Sequence, residues 1–103
     1  MRAERRDANE AEIIAALREA GCEVWQLCKD EPCDLLVRYE HRWEMSECSA
    51  ITQVELFMLE VKDSAKPPSA RKLTAKQVET HKRWPVSVVS TVAEALQVVR
   101  GGV

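Results

Sequence analysis

Apolar residues first return at helical spacing. Ile13, Ile14 and Leu17 share one face with Glu10 at i, i+3, i+4 and i+7, predicting a helix that starts at Asp7 or Asn9 and runs to Ala20. Asp7 with Glu10 fits a capping box, and Gly21 follows as a C-cap. The period then shortens. A strand is predicted over Cys22 to Leu27, a turn through Lys29-Asp30-Glu31-Pro32, and a second strand over Asp34 to Tyr39. A third strand, Val54 to Lys62, pairs with the second in antiparallel fashion, leaving Glu40 to Gln53 as a connection long for a hairpin, and such loops tend to be functional or mobile. Asp63 to Lys72 is a basic, proline-containing loop that cannot enter a sheet interior. Thr74 caps a helix from Ala75 to Arg83, and Pro85 ends it. Val86 to Val89 is a short apolar strand, and Thr91 with Glu94 opens a last helix reaching Val99. The order αβββαβα is that of an α/β sandwich, a small mixed sheet flanked by helices, in one domain with residues 1–6 and 100–103 as frayed ends. Ile51, Val54, Val86, Val88 and Leu96 are expected in the core, with Trp84 packed against the sheet.

One strand breaks its own pattern. In Val54-Glu55-Leu56-Phe57-Met58-Leu59-Glu60-Val61-Lys62, side chains alternate, so Glu60 and Lys62 share the face of Leu56 and Met58. A buried-type face thus ends in two charges of opposite sign, and buried charge is costly unless paired or bound to metal. An Asp begins the neighbouring apolar run, at Cys33-Asp34-Leu35-Leu36-Val37. Two carboxylates on adjacent strands can hold Mg²⁺, a hard cation that prefers oxygen ligands and keeps some waters. Lys62 would lie beside such an ion, where an ammonium can orient the attacking water or offset charge on a phosphate.

Composition narrows the alternatives. With 103 residues, 46% hydrophobic and 31% charged, the chain reads as one ordinary globular domain, and no apolar run approaches a bilayer span or a signal peptide, so the expectation is cytoplasmic. Cys22, Cys28, Cys33 and Cys48 include no C-x-x-C pair, and His41 and His81 are far apart, so reduced thiols are preferred to a zinc site. The net charge of −2 argues against bulk attraction to nucleic acid, yet it is unevenly spread. Lys62 to Arg83 carries seven basic residues against two acidic ones, so the remainder is −7. Such a local patch can hold a polyanion, and equally it can be a solvated loop and helix surface.

Cys33-Asp34, Leu59-Glu60-Val61-Lys62-Asp63, the Ser69-Ala70-Arg71-Lys72-Leu73-Thr74 loop and Gln77 together resemble the PD-(D/E)xK nuclease superfamily. More narrowly, they resemble the small stand-alone virus-type replication-repair nuclease (VRR-Nuc) domains of phages and prophages, over Asp7 to Val99. The resemblance implies a restriction-endonuclease-like fold and a DNA nuclease dependent on Mg²⁺ or Mn²⁺. It implies Asp34, Glu60 and the Val61 backbone carbonyl as metal ligands, Lys62 as the catalytic lysine, and Gln77 on the following helix beside the site. An acidic residue of the first helix often completes such sites; Glu10 fits by its face and Glu12 is the fallback. Lys66, Arg71, Lys72 and Lys76 are the expected contacts to DNA phosphates. Likeness to Holliday-junction resolvases further implies a homodimer acting on branched or structured DNA. The chain departs from the pattern at Cys33, where the family usually has Pro, and in the long Glu40 to Gln53 connection.

Each residue also has a plainer role. Thr74-x-x-Gln77 is itself a capping box, Glu10 can be half of the Asp7 box, and His81 at i+4 from Gln77 can be structural. Trp43 is a candidate dimer or DNA contact. A non-catalytic DNA-binding or assembly module keeping the nuclease fold is the alternative function, and the presence of Asp34, Glu60 and Lys62 speaks against it.

Overall fold

Each helix and strand predicted from the hydrophobic pattern is present, and two of the strands are much longer than the pattern indicates. The computed structural model describes residues 9–28, 31–63 and 73–101. Helix α1 (Glu10–Glu19) is followed by β1 (Glu23–Gln26), β2 (Leu35–Ser46) and β3 (Ser49–Val61). Helix α2 (Ala75–Arg83), β4 (Val86–Val89) and α3 (Val92–Val99) complete it. The sheet has the order β1-β2-β3-β4, with β1, β2 and β3 antiparallel and β4 parallel to β3, so the class is mixed α/β.

Local chemistry accounts for the element ends. Gly21 sits at φ 98°, and the last turn of α1 closes with Gly21 N–H on the Arg18 carbonyl and Cys22 N–H on the Leu17 carbonyl, both at 3.0 Å. Helix α1 takes the later of its two expected starts. Asn9 is the N-cap position and its side chain makes no cap bond; Asp7, the proposed box partner, lies outside the described residues. At α2 the Thr74–Gln77 capping box is complete in both directions. At α3 Thr91 accepts from Glu94 N–H, but the Glu94 carboxylate returns to the Ser90 N–H, one residue earlier than a reciprocal box requires.

The core lies between one sheet face and two helices. Ile13 and Leu17 of α1 and Ala95 and Val99 of α3 pack with Leu35, Val37, Leu59, Val61 and Val89 of the strands. Helix α2 buries none of its residues and meets the opposite face near Glu60 and Lys62, through Gln77.

The connection expected from Glu40 to Gln53 is in fact strand. Pairing of β2 with β3 continues from Leu35↔Leu59 through His41↔Gln53 and Trp43↔Ile51 to Ser46↔Ser49, leaving Glu47 and Cys48 as the turn. That turn lacks the Asn-Gly or Asp-Gly signal of a tight hairpin, and no described non-glycine residue has positive φ. A register shift between Glu44 and Ser46 accommodates it instead. Because the hairpin outruns the helices, Ile51 and Val54 are 52% and 46% exposed rather than in the core. Val88 and Trp84 are likewise about half exposed, whereas Val86 is partly buried and Leu96 packs against the core. Cys22 and Cys33 are buried free thiols, and Cys28 and Cys48 are exposed ones. Among the described residues no helix is long and apolar enough to cross a membrane.

Candidate active site

The site forms where β2 begins and β3 ends. Continuing the register one place beyond Leu35↔Leu59 sets Asp34 against Glu60, on the sheet face opposite the core. Asp34 is fixed there three times over: its N–H donates to the Leu59 carbonyl (3.0 Å), its carbonyl accepts from Leu27 N–H (2.8 Å), and Oδ2 accepts from Val61 N–H (2.8 Å). Burial is unequal. Glu60 is only 5% exposed, while Asp34 is half-buried and faces the cleft.

Gln77 joins the two charges of β3. Its Nε2 donates to Glu60 Oε2 at 2.8 Å, and its Oε1 accepts from Lys62 Nζ at 3.1 Å and from Thr74 N–H at 2.9 Å. The amide that closes the α2 cap thus also bonds Glu60 and Lys62. Lys62 Nζ lies 3.9 Å from Glu60 Oε2, with both side chains mostly shielded from water. The Val61 carbonyl belongs to the same chain end, and Val61 N–H is already committed to Asp34.

Glu10, not Glu12, is the inward carboxylate of α1. Glu10 is 3% exposed and its Oε2 accepts from Gln26 Nε2 at 3.1 Å, whereas Glu12 is exposed. The Glu10 charge reaches Glu60. Lys76 lines the cleft; Lys66, Arg71 and Lys72 lie outside the described residues. The cleft, about 390 Å³, is bounded by Glu31 to Asp34 and Glu60 on the sheet side and by Thr74, Gln77 and Thr80 on the α2 side.

Two supporting residues are invisible in the sequence pattern. Asn9 Nδ2 donates to the Lys62 carbonyl (3.1 Å) and to the Ser90 carbonyl (2.7 Å), tying α1 to the ends of β3 and β4. Gln26 holds Glu10; the available hint is that it shares the inward parity of buried Val24 on β1 and is polar.

Electrostatics mark Glu60 as the strained member. Burial first, then the facing Asp34 carboxylate through charge and hydrogen bonding, push its pKa up from 4.5 to about 7; Lys62 pulls the other way and Glu10 adds to the rise. The Cys33 thiol beside it is pushed to about 11 by burial and by the same two carboxylates. The set fits a hard divalent ion: two oxygen ligands converge, their mutual repulsion is relieved by positive charge, and Mg²⁺ commonly takes one or two carboxylates and completes its shell with water. Among the described residues no three His, Cys, Asp or Glu side chains converge as a full protein cage, so water would supply the remaining ligands.

No known protein family, characterised protein or solved structure matches the chain.

A pH dependence follows from Glu60. Its folded pKa of about 7 exceeds the ordinary 4.5, so between those values the folded state binds a proton that the unfolded chain has released. Stability from this group is thus full below about pH 4.5 and lost as pH rises through about 7. In chelator-containing buffer the melting temperature is expected to fall between about pH 6 and about pH 8. A flat or rising profile across that window in thermal melts contradicts the assignment.

Proposed function

We propose that the cleft is a divalent-metal-dependent phosphodiesterase site acting on DNA, in a restriction-endonuclease-like fold of the PD-(D/E)xK type and closest in character to stand-alone VRR-Nuc domains. The supporting observation is the Asp34–Glu60 carboxylate pair with Lys62 held beside it by Gln77. Asp34, Glu60 and the Val61 carbonyl would hold Mg²⁺ or Mn²⁺. When bound, the ion supplies positive charge against the phosphate and acidifies a water.

The remaining work falls to the chain itself. Gln77 holds the Lys62 ammonium next to the carboxylates, where it orients the attacking water and offsets charge building on the phosphate. Gln77 also fixes the Glu60 oxygen that faces Lys62, so one side chain sets the spacing of acid and ammonium. Glu10, behind Glu60, adds negative charge that strengthens the call for a cation. Lys76 at the cleft, with Lys66, Arg71 and Lys72 of the basic loop, supplies phosphate contacts, which position DNA without reading its sequence.

The same reading takes branched or structured DNA as substrate and a homodimer as the acting form. The test is a panel of junction, flap, nicked, linear and single-stranded DNAs incubated with the protein and Mn²⁺ or Mg²⁺. The expected result is metal-dependent endonucleolytic cleavage, strongest on branched DNA. Binding without cleavage of any member, together with no thermal stabilisation by either metal, would favour the non-catalytic module instead.

A further inference from the structure

Strands β2 and β3 run well past their neighbours. β1 pairs with β2 only from Leu35 to Arg38, and β4 pairs with β3 only from Met58 to Val61. From Tyr39 and Glu55 to the turn, the hairpin is a two-stranded ribbon that no other described strand covers on either edge. A two-stranded ribbon in water is marginal by itself. This one also carries apolar surface, with Trp43 47% and Met45 60% exposed.

The ribbon is poorly suited to DNA. Residues 40–55 hold Glu40, Glu44, Glu47 and Glu55 against Arg42, a net −3, which repels phosphates. A protein surface fits better, and the free edge of β2 carries a pattern that fits itself. Along one face the charges alternate as Arg38, Glu40, Arg42, Glu44; along the other run Tyr39, His41 and Trp43. Tyr39 and His41 meet edge to face at 4.6 Å, and His41 and Trp43 stack at 5.6 Å, so that second face is a preformed aromatic ladder. The Glu55 carboxylate lies 2.6 Å from His41 Nε2.

We propose that the β2 edge from Tyr39 to Trp43 is a homodimer interface, pairing antiparallel with the same segment of a second copy across a two-fold axis at His41. An isologous contact requires a self-complementary surface. Reversing the alternating charges about His41 places Glu40 opposite Arg42 of the second copy, twice, and Tyr39 opposite Trp43, twice. Shifting the axis to Arg42 opposes Arg42 to itself and Glu40 to Glu44, which like-charge repulsion disfavours. Shifting it to Trp43 drives the pairing through the register shift between Glu44 and Ser46. The His41 axis uses the stretch between the end of β1, where Glu23 already occupies the Arg38 position, and that irregularity.

Sign alternation also explains why these charges are not simply a guard against edge pairing. Like charges would block pairing with any second copy, whereas alternating ones select a register. The interface assigns a surface to the dimer of the proposed function but needs no nuclease activity.

Sedimentation of the wild-type protein, Glu40→Arg, Arg42→Glu and the double variant Glu40→Arg/Arg42→Glu is the test. Glu40 and Arg42 are exposed side chains, so circular dichroism is expected to be the same for all four. Wild type is expected to be dimeric at micromolar concentration. Each single variant raises the dimer dissociation constant at least about 10-fold by opposing like charges at two places, and the double variant restores it. A monomeric wild type overturns the proposal, including one that assembles only when DNA is added. So does a dimer indifferent to the single variants, which would lie elsewhere, and a double variant that fails to recover.

Discussion

Lys62→Ala is expected to abolish the proposed metal-dependent DNA cleavage while DNA binding is largely retained. The ammonium sits 3.1 Å from Gln77 Oε1 and 3.9 Å from Glu60 Oε2, within the polar network beside the cleft. Its removal takes away a positive charge 3.9 Å from the Glu60 carboxylate. It leaves Lys76 and the segment containing Lys66, Arg71 and Lys72 to hold phosphates. Losing one well-placed group that stabilises developing charge costs about 10²–10³ in turnover, and losing its effect on the water adds to that. Folding is expected to survive, because Lys62 follows the last residue of β3 and its backbone bonds to Val89 and Asn9 do not involve the side chain. Single-turnover cleavage of a junction substrate, alongside equilibrium binding in Ca²⁺, separates the two effects. Cleavage unchanged from wild type removes Lys62 from the mechanism. Loss of binding in parallel with cleavage would instead make it a phosphate contact.

The parts of this site that the sequence discloses are those governed by periodicity. Period two put Glu60 and Lys62 on one face, the position of Asp34 at the start of the next apolar run put it within reach, and helical spacing chose Glu10 over Glu12. Gln77 was legible as a cap, and the same amide also bonds Glu60 and Lys62. Asn9 and Gln26 were not legible, because their partners, Lys62, Ser90 and Glu10, are distant in the chain and nothing periodic links them. The same cause hid the ribbon. Alternation identifies a strand only where one face is covered, and past Arg38 and Leu56 neither face of the hairpin lies under a helix that buries it. Polar and apolar residues therefore mix on both faces, as in a loop, and Ile51 and Val54 pass for core when they are wet.

Glu60→Gln is expected to make the metal-free protein more stable and to remove the proposed cleavage activity. The glutamate is 5% exposed, faces Asp34, and holds its proton up to about pH 7, so near pH 8 its charge is an unfavourable part of the metal-free fold. Glutamine keeps the shape and an oxygen to accept from Gln77 Nε2, but removes that charge. The melting temperature in chelator at about pH 8 should rise by on the order of 5 °C, since about 1 kcal/mol shifts a domain this small by about 4–8 °C. Near pH 5, where wild-type Glu60 is already protonated, the gain should shrink toward nothing. Saturating Mn²⁺ reverses the comparison, because an ion that binds only the folded state with both carboxylates stabilises wild type and not the variant. Paired melts at the two pH values, with and without Mn²⁺, thus test the ligand assignment without any cleavage assay. A variant less stable than wild type in chelator at the higher pH would mean that the Glu60 charge is held by Lys62 and Gln77 as a structural ion pair. A variant still stabilised by Mn²⁺ as strongly as wild type would place the ion elsewhere. The crossing of the two curves is expected because the feature that weakens the empty fold, two carboxylates facing each other at the head of two strands, is the same feature that gives a cation its place.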